Sequence, residues 1–444
     1  MREINNEKSF IYIILITSFL TKIFLSKIIN LPNFVDAQAY ASAGFELINF
    51  FEIKKNIVMP LYPIIAYFDQ KIFSFHIFNI LFSTINIYVV YLLTNKIFSS
   101  YLTSVISALL MAFYPFNIFY SITGFSETFF LTLLILGLYF LYENKKILSS
   151  IFFVLSILCR PLGEIIFPII ITYFSLFIFK NKKEIVFLNL VKYFVIYIIL
   201  MSPWWYHNYL KYGKFVRLNL GSNFVFFVGN NSLNKTGGGV IIDEDDLRKF
   251  PERYSQTVRD YDFEIFRGKP GFEVKIDHVD DKGDVTSYKV GYEQNEIDPA
   301  FGNKIGTVAR TKGVKHALLR DKYFKEAAIN YIVNNPLKFF ENMFIKFKRF
   351  WSIAPYSHEF RSDKFFTSVS VLTIVLLLFF SIFGFILNKN FKNLKLIPLY
   401  FLLIYVNLIH MIMISSIRYR FIIEWILLIL ASYYLSYIFN RIKK

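Results

Sequence analysis

Asp36 and Tyr40 stand four residues apart in NLPNFVDAQAYASAGFEL, directly behind the first long apolar run. A carboxylate at the mouth of a membrane helix is costly, and in that position it can take a proton from a hydroxyl or amine. Helical spacing puts Tyr40 on the same face. The plainer alternative is that Asp36 N-caps the helix that follows. Glu127 opens the apolar run SETFF, where a carboxylate suits a helix N-terminus as well as catalytic support. Arg160 in CRPLGE, with Arg418 and Arg420 in ISSIRYR, supplies forked, permanently charged donors that fit phosphate or pyrophosphate. Their alternatives are snorkelling to headgroups, or pairing with Glu127, Glu164 or Glu424.

These residues must be held by membrane helices. The chain has 444 residues, 55% hydrophobic and 20% aromatic, too apolar for an ordinary soluble domain. Apolar stretches of about 17–20 residues match ~30 Å of hydrocarbon, and about ten are expected. They fall near 9–26, 76–94, 101–119, 124–142, 147–159, 162–179, 185–203, 366–387, 395–414 and 420–438. No small-residue cleavage site follows the first, so it reads as an uncleaved helix. The net charge of +17 comes largely from short basic loops, such as ENKK at 143–146 and KNKKE at 180–184. Basic loops on one side are the positive-inside pattern, so nucleic acid is not the expected partner. The opposite, extracytoplasmic side then collects the Asp36 loop (27–75), Glu127, Arg160, the segment 204–365, and Arg418 with Arg420. The expected localisation is a cytoplasmic (inner) membrane with the active face outward. Three regions follow: a transmembrane module over 1–203, an extracytoplasmic domain over 204–365, and C-terminal helices over 366–444.

The outer segment changes character along its length. Residues 204–235 are aromatic and basic, and TGGG (236–239) then precedes the acidic run DEDD (243–246). Phe272 to Val290 alternates apolar and polar residues around DDKGD, predicting a β-hairpin that turns at Gly283. Two amphipathic helices are predicted over 321–350, the second starting at Pro336. Its Lys338, Lys346, Lys348 and Arg349, interleaved with Phe, suit a helix lying on anionic lipid. The fold class expected is therefore all-α and polytopic, with a mixed α/β extracytoplasmic domain. The WWY at 204–206 suits an interfacial belt or a sugar or isoprenoid groove. One cysteine, Cys159, excludes an intrachain disulfide and a Cys-based zinc site. His207 and His410 are isolated, and DEDD reads as a solvated acidic loop. A divalent cation is compatible with the chemistry, but no ligand set indicates one, so no metal and no cofactor is assigned. There is no GxxxxGK[ST] and no HExxH.

In order along the chain, DAQAY, MPLYP, SETFFLTLLILGLYFL, CRPLGEIIFPIII, PWWYHNYLKYGKFVRLN with GNN at 229–231, YIVNNPLKFF and RYRFIIEWILLIL resemble the GT-C superfamily of membrane glycosyltransferases. The likeness is to the protein O-mannosyltransferase and aminoarabinose transferase group, and it is colinear except over 237–315, which reads as a variable insert. The resemblance implies a polyprenyl-phosphate sugar donor and an inverting transfer in which Asp36 is the base and Tyr40 its neighbour. Arg160, Arg418 and Arg420 would border the donor phosphate. Tyr62, Trp204, Trp205, His207, Asn208 and Asn230 would border the donor and acceptor groove. The acceptor would be lipid A, another envelope glycan or a protein. The chain departs from its relatives at Ala37 after Asp36, at Met59 where a basic residue precedes the proline, and at His207-Asn208 in place of Arg-Asn. Lys54 or Lys55 is the expected substitute for the missing cation. WWYHN also lacks the acid and glycine of the oligosaccharyltransferase signature. Two other classes stay open: a transporter or flippase of lipid-linked sugars, and a glycan polymerase or ligase using a pyrophosphate-linked donor.

Overall fold

The computed structural model describes residues 2–29, 31, 34–53, 58–72, 76–231, 234, 236–239, 274–279, 285–290, 314–355, 363–388 and 393–443. Lys54, Lys55, the DEDD run, Gly283 and most of the 237–315 insert lie outside the described residues. The described chain is overwhelmingly helical, as apolar runs must be where lipid offers the backbone no hydrogen-bond partner. Among the described residues, six helices are long and apolar enough to cross a membrane. They are α1 (Arg2–Ile28), α4 (Ile77–Phe98), α10 (Lys183–Tyr212), α14 (Lys364–Leu387), α15 (Ile397–Ile412, long enough together with the 3₁₀ turn Leu394–Leu396 before it) and α16 (Ile417–Ile442).

The expectation of about ten spans is thus not carried by length alone. The third predicted span is two helices, α5 (Tyr101–Phe113) and α6 (Pro115–Ser121), bent by 53°. Pro115 at the start of α6 explains the break, since proline cannot donate into the preceding turn. Three further apolar helices are shorter: α7 (Glu127–Tyr142), α8 (Lys146–Cys159) and α9 (Ile166–Tyr173), the last continued by a π-helical turn over Phe174–Ile178. Two helices precede α4 in the first loop, α2 (Val35–Phe50) and α3 (Leu61–Ile72).

The chain divides into two compact units. The first holds Met1–Trp204, Ile353–Val406 and Arg418–Lys444, and the second holds Trp205–Ser352 and Asn407–Ile417. The segment 407–417, expected among the C-terminal spans, therefore belongs to the second unit. Within the first unit α4 packs on α5 and α7, α7 on α8, and α2 on α3. Polar side chains tie these helices together, as they do where lipid removes the hydrophobic drive for helix pairing. Lys22 Nζ donates to Ser83 Oγ (2.6 Å), Ser83 donates to Asn117 Oδ1 (3.0 Å), and Asn86 Nδ2 donates to the Thr128 carbonyl (3.2 Å).

The second unit contains α11 (Ser222–Gly229), α12 (Val314–Asn334) and α13 (Pro336–Phe350). It also contains one antiparallel pair, β1 (Val274–Val279) with β2 (Val285–Val290), in which Val274 faces Val290 and Val279 faces Val285. That pair is the only strand structure among the described residues, so a mixed α/β domain is not supported. Phe324 of α12 packs on Phe224 and Phe227 of α11, with ring centroids 5.0 and 5.1 Å away. Helix α13 starts at Pro336, where the missing N–H costs nothing. Its orientation corrects the sequence reading for two of the four cations. Lys346 and Arg349 are buried rather than directed at lipid, while Lys338 and Lys348 are exposed, as are Leu337, Phe340 and Phe344.

Candidate active site

Four helix ends of the first unit meet at one buried carboxylate. Glu127 is the first residue of α7 and has no solvent exposure. Its Oε1 accepts from Arg160 Nη1 at 2.5 Å and from Arg418 Nε, and its Oε2 accepts from Arg418 Nη2 at 3.2 Å. Asp36, in the first turn of α2, accepts from Arg418 Nη1 through Oδ2. Arg160 follows the last residue of α8, and Arg418 lies in the first turn of α16. Both carboxylates therefore sit at helix N-termini, where the aligned peptide dipoles favour negative charge, and Arg160 sits at a C-terminus, where they favour positive charge. Arg418 is at the unfavourable end of its helix, and the two carboxylates offset that.

Asp36 does not cap its helix. The N-cap of α2 is Phe34, which makes no side-chain capping bond, so the Asp36 carboxylate is available to Arg418. The Asp36 side chain is 56% exposed, against 18% for Arg160 and for Arg418, so the cluster opens to its surroundings on the Asp36 side.

Neighbouring side chains fix the two guanidinium groups. Arg418 Cζ lies 3.9 Å from the centroid of the Phe125 ring, a cation–π contact, and Phe34 packs on Phe125 from 4.8 Å. Arg160 lies over the Tyr419 ring at 5.7 Å, and its Nη1 also donates to Ser126 Oγ at 3.1 Å. Ser126 in turn donates to the Tyr40 hydroxyl at 3.1 Å. Burial raises the Tyr40 pKa above its ordinary value, although both arginines pull it down, so the phenol stays protonated. Tyr40 meets Tyr62 edge-on at 4.9 Å. The Tyr62 hydroxyl accepts from Asn79 Nδ2 at 2.9 Å, and the same amide donates to the Phe125 carbonyl at 3.1 Å. Gly44 lets α2 lie directly on α3, since a Cβ there would be 2.0 Å from the Pro63 carbonyl oxygen. DAQAY and MPLYP are in this way parts of one support.

Asp36, Tyr40, Glu127, Arg160 and Arg418 are thus brought together as the sequence suggested. Other expected residues are not. Arg420 has no solvent exposure and its Nε donates to Glu424 at 2.6 Å, a separate buried ion pair within α16. Tyr62 is 1% exposed and supports Tyr40 rather than lining a groove. Trp204 is buried in the first unit. Trp205, His207, Asn208 and Asn230 belong to the second unit and serve its backbone. Trp205 Nε1 donates to the Arg217 carbonyl (2.9 Å), and Asn208, contacted by His207, donates to those of Val216 (2.9 Å) and Leu218 (3.3 Å). Asn230 donates to the carbonyls of Phe226 and Ile412. Sequence reasoning passed over Ser126, Phe125, Tyr419 and Asn79. An asparagine inside the apolar run HIFNILF was the available signal for the last. Among the described residues, no group of three or more His, Cys, Asp or Glu is placed to hold a metal ion.

In chemical terms the cluster is two carboxylates and two guanidinium groups, one carboxylate sealed between the cations and the other at the open side. Such a set can receive an anion on its arginines and a proton on its exposed acid. Compared with known proteins, the chain matches no family model and no curated protein.

Proposed function

We propose that this protein is an integral-membrane glycosyltransferase of GT-C type that moves one sugar from a polyprenyl-phosphate donor to an extracytoplasmic glycan, lipid or protein. The observation that carries the reading is the convergence of Asp36, Glu127, Arg160 and Arg418 from four distant stretches of chain. In this reading the bent pair and the three shorter apolar helices complete the six long ones to about ten spans. The basic loops then orient the cluster outward.

The donor phosphate competes with Asp36 for Arg418 and so frees the carboxylate lone pairs for the acceptor. Asp36 takes the acceptor proton, the acceptor oxygen bonds to the anomeric carbon from the face opposite the phosphate, and the carbon–oxygen bond to phosphate breaks. The polyprenyl phosphate leaves with that electron pair. Negative charge grows on it in the transition state, where Arg160 and Arg418 are already fixed by Glu127, so little reorganisation is needed.

Purified protein in liposomes, supplied with a labelled polyprenyl-phosphate sugar and acceptor, tests this. Asp36→Asn is expected to lower transfer by about 10²–10⁴-fold, the usual worth of a general base, with the protein still folded. Wild-type rates in that variant would refute the base assignment. The bent α5–α6 pair favours one rival, since transporters of lipid-linked sugars use broken helices. Donor translocation without covalent transfer in the same liposomes would establish that rival instead.

A further inference from the structure

The break between α5 and α6 leaves two buried carbonyls without their helical partners. In an unbroken helix the Met111 carbonyl would accept from residue 115 and the Ala112 carbonyl from residue 116. Residue 115 is a proline without an N–H, and Phe116 lies in α6 beyond the 53° bend. Side chains take over both carbonyls. Asn117 Nδ2 donates to that of Met111 at 2.8 Å, and Ser18 Oγ of α1 donates to that of Ala112 at 3.2 Å. Two further bonds orient Asn117, from Lys22 Nζ to Ser83 Oγ at 2.6 Å and from Ser83 Oγ to Asn117 Oδ1 at 3.0 Å. Lys22, Ser83 and Asn117 have no solvent exposure.

A lysine sealed among helices is costly, and towards a helix end it can snorkel to the surface instead. Lys22 meets a neutral hydroxyl rather than a carboxylate, so charge balance does not account for it. Donor–acceptor order does. A serine hydroxyl carries one hydrogen. Accepting from Lys22 turns that hydrogen toward Asn117 Oδ1, which leaves the Asn117 amide nitrogen facing Met111. Without Lys22 the Ser83 hydroxyl can turn back to the Asn79 carbonyl of its own helix, as serine does in helices, and the order is lost. The far end of α6 is tied to the site. Thr128 Oγ1, in the first turn of α7, donates to the Tyr120 carbonyl at 2.9 Å, and Ile122–Ser126 joins the two helices. That joint carries Phe125 against Arg418 and Ser126 against Arg160 and Tyr40, and it ends at Glu127. All of these residues belong to the first unit.

We propose that Lys22, Ser83 and Asn117 are positioning residues for Glu127: by filling the gap that Pro115 opens, they fix the bend of α6 and with it the turn that presents Ser126 and Glu127 to the two arginines. The effect on sugar transfer rests on the transferase reading, and the positioning itself stands apart from it.

The single cysteine of the chain reports on that turn. Cys159 is 3% exposed and its thiol donates to the Ser126 carbonyl at 3.8 Å, so a shifted turn uncovers it. The full-length protein in detergent is treated with a small maleimide well below its melting temperature. Ser83→Ala, the mildest cut in the chain of bonds, should speed labelling about tenfold through local opening. Ser436→Ala is the control. It removes a buried hydroxyl that accepts from Thr103 at 2.9 Å at the other end of α5, and labelling should rise less than about twofold. Equal speeding in the two would overturn the proposal, because general loosening acts on both. Lys22→Met and Asn117→Leu should each speed labelling about tenfold, and together about as much as either alone, since residues acting through one another do not add. Multiplied effects would sink the proposal. If either of these variants fails to fold, the two serine variants decide. In the liposome transfer assay Ser83→Ala should lower kcat about tenfold and leave acceptor KM within about twofold. Lost transfer with unchanged labelling would also overturn the positioning role. Faster labelling in a protein whose wild type transfers no sugar would leave the positioning standing and remove the transferase reading.

Discussion

Removing the charge of Glu127 is the most direct perturbation of the site. Glu127 is fully buried and neutralises two guanidinium groups that are each only 18% exposed. Breaking a buried ion pair by deleting one partner costs about 3–5 kcal/mol, because the other charge is left without compensation. Two cations lose their partner here, but Asp36 still faces Arg418 and both arginines reach solvent in part. The expected cost of Glu127→Ala therefore stays near the single-pair figure, about 3–5 kcal/mol. Glu127→Gln keeps the shape and one acceptor oxygen, so a smaller loss, about 2–4 kcal/mol, is expected. The assay is thermal unfolding in detergent micelles. The order of stability should be wild type, Glu127→Gln, then Glu127→Ala. The decisive comparison is the double variant Glu127→Gln/Arg418→Met. If uncompensated positive charge is the cause, removing one of the two cations restores about 1–2 kcal/mol relative to Glu127→Gln alone. A double variant less stable than Glu127→Gln, or a Glu127→Gln protein as stable as wild type, would refute the reasoning.

Two further outcomes follow from other buried charges. For Arg420 and Glu424, either single replacement by an apolar residue should destabilise by about 3–5 kcal/mol, while Arg420→Met with Glu424→Leu should come within about 1 kcal/mol of wild type. Unfolding in detergent measures it, and donor KM should not change in the double variant, because that pair stands apart from the Glu127 cluster. Lys346 gives a pH dependence. Burial lowers its pKa from 10.5 to about 7 in the folded protein. Between those values the unfolded chain binds more protons than the folded one, so stability rises with pH through the window from about 7 to 10.5. Below it the full cost of the buried ammonium is present. Melting temperatures between pH 6.5 and 9.5 should climb in the wild type and flatten in Lys346→Met, about these values judged by the linkage relation. Parallel curves would contradict the assignment.

The two arginines of RYR show where sequence stops being informative. Residues two apart on a helix point about 200° from one another, so the sequence guarantees that Arg418 and Arg420 face different surroundings. Which one meets Glu127 depends on how α16 is rotated against its neighbours, and that is a packing outcome. The polar residues after Pro203 show a second limit. Asn208 and Asn230 suit a sugar-binding groove and an anchor for loop carbonyls equally well by residue type. Their burial selects the anchor. Helix α13 shows a third. Its periodicity established an amphipathic helix, but period does not say which face turns inward. In a membrane protein the apolar face can be the outer one, and here Lys346 and Arg349 lie inside while Lys338 and Lys348 stay exposed with Leu337 and Phe340.

By itself the sequence determined the class of the protein and the residues worth watching. Long apolar runs can only be helices where water is absent, and a carboxylate or arginine beside a span is too costly to be incidental. Those arguments depend on local composition and hold before any folding. Only the tertiary structure decided that Asp36, Glu127, Arg160 and Arg418 form one cluster and that Arg420 pairs with Glu424 instead. It also supplied Ser126, Phe125, Tyr419 and Asn79, which orient the cluster. Ion pairing and cation–π contact act over a few ångströms between residues hundreds of positions apart. Their pairing therefore depends on helix rotation and close approach, as at Gly44 against Pro63, and local pattern does not encode either.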